Sequence, residues 1–199
     1  MIQVKAISVE IILKSELIST EESCSLIERF VRAPQITAAE ILELDLPAKN
    51  RVDALLRHEF LNESRLRELA CDFAAHTLHI FEAKAPGDYR PHECLSMAFL
   101  LNSWGLGSWE QLRDTIKEAR PAMWQLERGG HVGAIEACRS ALMIGNKDAA
   151  RMAREIALCS QVAAHRSAWE SRKSNTEPMI EREKEASWQL DRIVESLAW

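Results

Sequence analysis

Two groups of residues in this chain have types and spacing that could do chemistry. His76 and His79 lie three apart with Glu82 three further on. On a helix, positions i and i+3 share a face, so two imidazoles and a carboxylate could grip one divalent cation. The set lacks the i, i+4 histidine pair and general-base glutamate of HExxH, and the sequence fixes no further ligand. We therefore expect one half-buried and one surface histidine rather than a metal centre, and no cofactor. The second group is Arg51 and His58, in the form R-x6-H. A class of small helical ribonucleases uses that spacing to join a histidine acid or base to a fixed cation at the scissile phosphate. Here Val52 follows the arginine, where those enzymes carry a polar residue. No Ser/His/Asp order, phosphate-cradling glycine loop or GxSxG elbow is present. The expectation is a protein without a catalytic set.

The elements that must position these residues read as helices. Leu66, Leu69, Ala70, Phe73, Ala74, Thr77, Leu78 and Phe81 recur at three- and four-residue steps, which predicts one long amphipathic helix from about Asn62 to Lys84. Ala85-Pro86-Gly87 stops it, and Pro91 opens the next helix with Glu93 at its positive end. Thr37 and Glu40 have capping-box spacing. Ser19-Thr20-Glu21-Glu22 looks like another start, for a helix to about Arg32. Further helices are expected after Pro47, from Ser108, over 131–144, over 147–172, and from about Met179 to the C-terminus, with a restart at Pro121. The β-branched residues among the first 18 suit a short strand. The total is nine or ten helices: an all-α, compact multi-helix bundle with a short N-terminal strand. Alanines cluster from Ala134 to Ala164, so the helices carrying them should lie at the middle, where small side chains let axes approach. A seam near residues 46–50 divides an N-terminal helical appendage, 1–48, packed on the body, from an all-α domain, 49–199.

Composition narrows the function classes. The chain has 199 residues, 47% hydrophobic and 28% charged, with 7 Gly and 6 Pro, which argues against a turn-rich β protein and against disorder. No apolar run approaches the roughly 20 residues of a membrane span, and the start lacks a signal-peptide pattern, so a cytoplasmic protein is expected. The five cysteines are widely spaced with no CxxC pair, which reads as buried thiols in a reducing compartment. Net charge is −5: the first hundred residues hold 16 acids against 11 bases, and the last 99 hold 14 of each. A nucleic-acid binder would show a basic excess, so no nucleic-acid partner is expected. Mild acidity suits a basic protein partner, and it also serves solubility.

Six tryptophans stand against one tyrosine. Trp104, Trp109 and Trp124 fall in apolar patterns and are expected in the core. Trp169, Trp188 and Trp199 lie on polar helices, where an interface role and packing between the last two helices are both open. Trp199 is the best candidate for an exposed aromatic or a dimer contact. Asp88 and Arg90 flank the helix restart. Asp88 suits a cap, and Arg90 suits a pair with Glu82 or Glu59.

One resemblance adds to these readings. Ala70-Cys71-Asp72 through His76, Phe81-Glu82-Ala83-Lys84-Ala85-Pro86, and Asp88-Tyr89-Arg90-Pro91 form a helix, a helix end and a helix start. With Leu56 to Leu61 and the EASWQLDRIVESL stretch from Glu185, they resemble an immunity protein family of bacterial polymorphic-toxin systems, over roughly residues 50–199. The chain departs from that family in having Cys94-Leu95-Ser96-Met97 where a charged run is expected. The resemblance implies a non-catalytic antidote, an antitoxin that neutralises a cognate protein toxin by occlusion. Asp72, His76, Glu82, Asp88, Arg90, Glu93 and Trp199 are then the candidate partner-binding residues. A small helical ribonuclease or metal-dependent enzyme, and a helical scaffold or oligomerisation module, are the alternatives.

Overall fold

The computed structural model describes residues 6–10, 35–171 and 176–197. The expected helix over 19–32, Cys24 and Trp199 lie outside them. The fold is mostly helical, with one two-stranded sheet. In order, the elements are β1 (Ala6–Ser8), β2 (Gln35–Thr37), α1 (Ala38–Glu43), α2 (Ala48–Leu55), α3 (Glu63–Glu82), α4 (Arg90–Trp104), α5 (Trp109–Glu127), α6 (Val132–Leu142), a 3₁₀ turn (Met143–Gly145), α7 (Ala149–Glu170) and α8 (Glu177–Leu197). Eight α-helices are thus present among the described residues, not nine or ten.

One expected restart is absent. Pro121 sits inside α5, which runs unbroken from Trp109 to Glu127. Pro121 removes one backbone donor in mid-helix, normally a cost of about 3 kcal/mol. Leu112, Ile116 and Ala119 before it and Ala122 and Leu126 after it are buried on one stripe. That burial on both sides of the proline holds the helix together.

The predicted starts follow from local hydrogen bonding. Thr37 Oγ1 accepts from Glu40 N at 3.2 Å, and Thr37 N donates to Glu40 Oε2 at 2.8 Å, closing the capping box of α1. Asn62 caps α3, Ser108 caps α5 and Asp148 caps α7, each accepting from the backbone N–H three residues on.

α3 lies at the centre, packed against α7, α6 and α4. All eight residues of its predicted stripe are buried, with Phe73 and Phe81 fully so. α6 and α7 meet closely, as their small residues require. A methyl at Gly133 would stand 2.7 Å from Ser167 N and 3.1 Å from Ala163 O, both backbone atoms of α7. α8 lies across α7 and α2. The strands pair antiparallel, Ile7 opposite Ile36, and both isoleucines join the same core as the helices. No described helix is long and apolar enough to cross a membrane. Cys71, Cys94, Cys138 and Cys159 are free thiols, and burial pushes the pKa of each up to about 12.

Candidate functional site

Among the described residues, most of the exposed large apolar side chains lie on the α4–α5 hairpin. α4 buries Pro91, Cys94, Leu95 and Ala98, one face at helical spacing. Its outer surface is mixed: His92, Glu93 and Ser96 are exposed over the first turns, and Phe99, Leu100 and Trp104 stand exposed over the last. Large apolar side chains left open at the end of a packed helix leave surface that a partner could bury. The helix ends at Gly105, which takes a left-handed φ of 63°, and Leu106 N donates back to Leu100 O at 3.1 Å. This turn presents Leu106 to solvent beside Trp109, the first residue of α5. Trp104 is 68% exposed, Leu106 58% and Trp109 43%. At the other end of the hairpin Tyr89 and Trp124 are exposed as well. By the rise of a helix, the edge spans about 22 Å.

These three tryptophans, Trp104, Trp109 and Trp124, correct the expectation that they belong to the core. The inward stripe of α5 is already filled by Leu112, Ile116, Ala119, Ala122 and Leu126, and Trp109 and Trp124 lie off it. The buried face of α4 is Pro91, Cys94, Leu95 and Ala98, and Trp104 at its end lies off that face. Trp109 is nonetheless held in place. The Arg67 guanidinium sits 4.6 Å from its ring centroid, and Arg67 is itself fixed by Glu63 and by the Asn146 and Lys147 carbonyls. An aromatic pinned on one face and open on the other loses little freedom on binding.

A second arrangement lies on the α3–α8 side. His76 Nδ1 is 2.8 Å from Glu185 Oε2, and the imidazole stacks on Trp188, centroids 3.7 Å apart and planes 9° from parallel. Glu185 is 5% exposed. Burial raises its pKa, against the opposing pull of His76 and of the Gln189 amide. Gln189 Nε2 donates to Glu185 Oε1 and to Ala157 O, and Gln161 Nε2 donates to Gln189 Oε1. The group thus ties α3, α7 and α8 by a buried polar chain. His76, His79, Glu181, Lys184 and Trp188 border a cleft of about 620 Å³.

His76, His79 and Glu82, whose spacing could suit a cation, are engaged or exposed separately. His79 Nδ1 lies 2.9 Å from the carbonyl of His76, His76 Nδ1 faces Glu185, and Glu82 is exposed. Among the described residues no three metal-ligating side chains come together. Arg51 donates to the Leu42 carbonyl at 3.0 Å, whereas His58 faces Asp148 at 3.6 Å, so the two engage different elements.

The remaining candidates separate into paired and open groups. Arg90 bonds Asp88 twice, at 2.8 and 2.6 Å, rather than Glu82 or Glu59. Those bonds hold the Asp88 carboxyl below its ordinary range. The correction has a local cause: Asp88 is two residues away and also accepts from Arg90 N, which closes the corner without a distant partner. Asp72 pairs with Arg192 of α8 at 2.5 Å. Glu82 and Glu93 remain exposed.

Glu185, Gln189 and Gln161 were not visible as a group in the sequence. Glu185, Gln189 and Ile193 do share i, i+4 spacing, which marks one face of α8, but only the fold turns that face inward. No protein-family model, curated protein or solved structure significantly matches this chain.

Proposed function

We propose that this chain is a non-catalytic binding protein that neutralises a cognate bacterial toxin in the cytoplasm by covering its working surface. The observation that carries the reading is the row of open aromatic and aliphatic side chains on the α4–α5 hairpin, Phe99, Leu100, Trp104, Leu106 and Trp109. Tryptophan is prominent among residues that dominate protein–protein binding, because it buries a large rigid surface. The resemblance of the helix ends on either side of Pro86 to an immunity protein family gives the partner its class. Glu93 lies on α4 with the aromatic row and Glu82 at the end of α3, so acidic side chains are available to speed association with a basic toxin.

The test is co-expression with the toxin encoded beside this protein's own gene. Cells making both should grow, and cells making only the toxin should not. Growth arrest in both cases would refute the antidote reading. The enzyme alternative makes a different prediction: a ribonuclease would harm cells when overproduced alone and would lose that effect on His58→Ala.

A further inference from the structure

A recess of about 50 Å³ lies where α2, α7 and α8 meet, walled in part by Lys49, Asp53, Arg154 and Arg182. Its charge is unbalanced. Among the described residues Asp53 is the only acid in the wall, and it faces two guanidiniums at long range, Arg57 at 3.8 Å and Arg154 at 4.0 Å. Lys49 and Arg182 also border it, and neither has an ion pair or hydrogen bond among the described residues. In the wall, Arg182 Nε is buried without an acceptor, as is Arg57 Nε behind it, while Asn50 Oδ1 faces inward as an acceptor that a protonated phosphate oxygen or a water would meet. Arg57 is 8% exposed, and burial lowers its pKa, with Arg154 adding repulsion against the opposing pull of Asp53 and Glu59.

Lys49, Arg154 and Arg182 are half-buried; a buried guanidinium N–H without an acceptor is costly, and fixed forks of donors match the oxygens of phosphate and carboxylate. One water-sized probe needs about 10–15 Å³. The recess therefore holds a few waters or one compact oxyanion. Waters could accept the N–H bonds, but they would leave the charge unbalanced. A dianion would do both.

We infer that this recess binds a phosphate-class oxyanion, gripped by Arg154, Arg182 and Lys49 against the α2–α7–α8 junction. The site is separate from the aromatic hairpin and does not depend on the antidote reading. Its ligand is either free phosphate or the terminal phosphate of a larger molecule that extends outward. In either case it would draw three helices together, so binding should raise the melting temperature.

Calorimetry on the full chain, with ionic strength matched by sodium chloride, tests this directly. Inorganic phosphate and AMP would be titrated in parallel. One-to-one binding is expected for at least one of them. Stronger binding of phosphate assigns the free ion, and stronger binding of AMP assigns the phosphomonoester. Arg182→Gln and Arg154→Gln should each weaken that binding at least tenfold. Arg113→Gln, on the outer face of α5, should leave it unchanged. Arg182 is only half-buried, so its variant should keep the fold, as circular dichroism would verify. If Arg154→Gln unfolds, Arg182→Gln and Lys49→Gln carry the test. No heat and no melting shift beyond chloride with either ligand would overturn the proposal. So would wild-type affinity in the folded arginine variants.

Discussion

The α6–α7 contact and the α4–α5 hairpin use side chains in opposite ways. Between α6 and α7, alanine and Gly133 bring two backbones to within a methyl group of collision. Along the hairpin, large aromatics stand outward and little covers them. The first region depends on shape, and any added atom must displace backbone. The second, on the proposed function, is surface for another molecule, and its exposed side chains are expected to contribute little to the fold. Stability and recognition are therefore expected to separate by region, and substitutions can test that separation.

The largest effect on stability should come from the helix at the centre. Phe73→Ala empties a fully buried site where α3 meets α7, and should cost about 3–5 kcal/mol in denaturant unfolding. Gly133→Ala comes next. Its methyl would meet Ser167 N at 2.7 Å, and because a backbone atom cannot simply rotate away, a loss of about 1–3 kcal/mol is expected. A melting temperature unchanged by Gly133→Ala would mean that α6 and α7 are further apart than described.

A smaller effect belongs to Glu185. Burial raises its pKa, so the folded state binds this proton more tightly than the unfolded chain does. Its contribution to stability is fully present below the ordinary glutamate range and is lost as pH rises through the raised value. Glu185→Gln keeps an acceptor for Gln189 and removes the buried charge. The variant should match or exceed wild-type stability at neutral pH, and that difference should shrink as the pH falls toward 4. A variant that is less stable at neutral pH would show that the His76 pair outweighs desolvation. The smallest stability change is expected at the hairpin, where Trp104→Ala should stay within about 0.5 kcal/mol of wild type.

The two regions also differed in how well they could be read from sequence. The α3 stripe was fully legible, because leucine, alanine and phenylalanine, with Thr77, repeat at the helical period and the cap at Asn62 and the stop at Pro86 bracket it. The alanine-rich α6 and α7 were legible for the same reason. The tryptophans were not. An apolar residue off the main stripe looks like core until the neighbours that would cover it are known, and at Trp104 there are too few. Pro121 misled in the other direction, since a local signal for a break gave way to burial on both sides. Pairings across the chain, such as His76 with Glu185 and Arg154 near Asp53, span separations that no local pattern encodes.

The central claim is that the outward face of the hairpin is the working surface. The direct measurement is the affinity of the neighbouring toxin for wild type, for Trp104→Ala/Leu106→Ala, and for Glu185→Gln, each first checked by thermal melting. The hairpin variant should melt like wild type yet bind at least tenfold more weakly and fail to protect cells, while Glu185→Gln binds normally. A hairpin variant that is folded and still binds and protects as wild type would contradict the account.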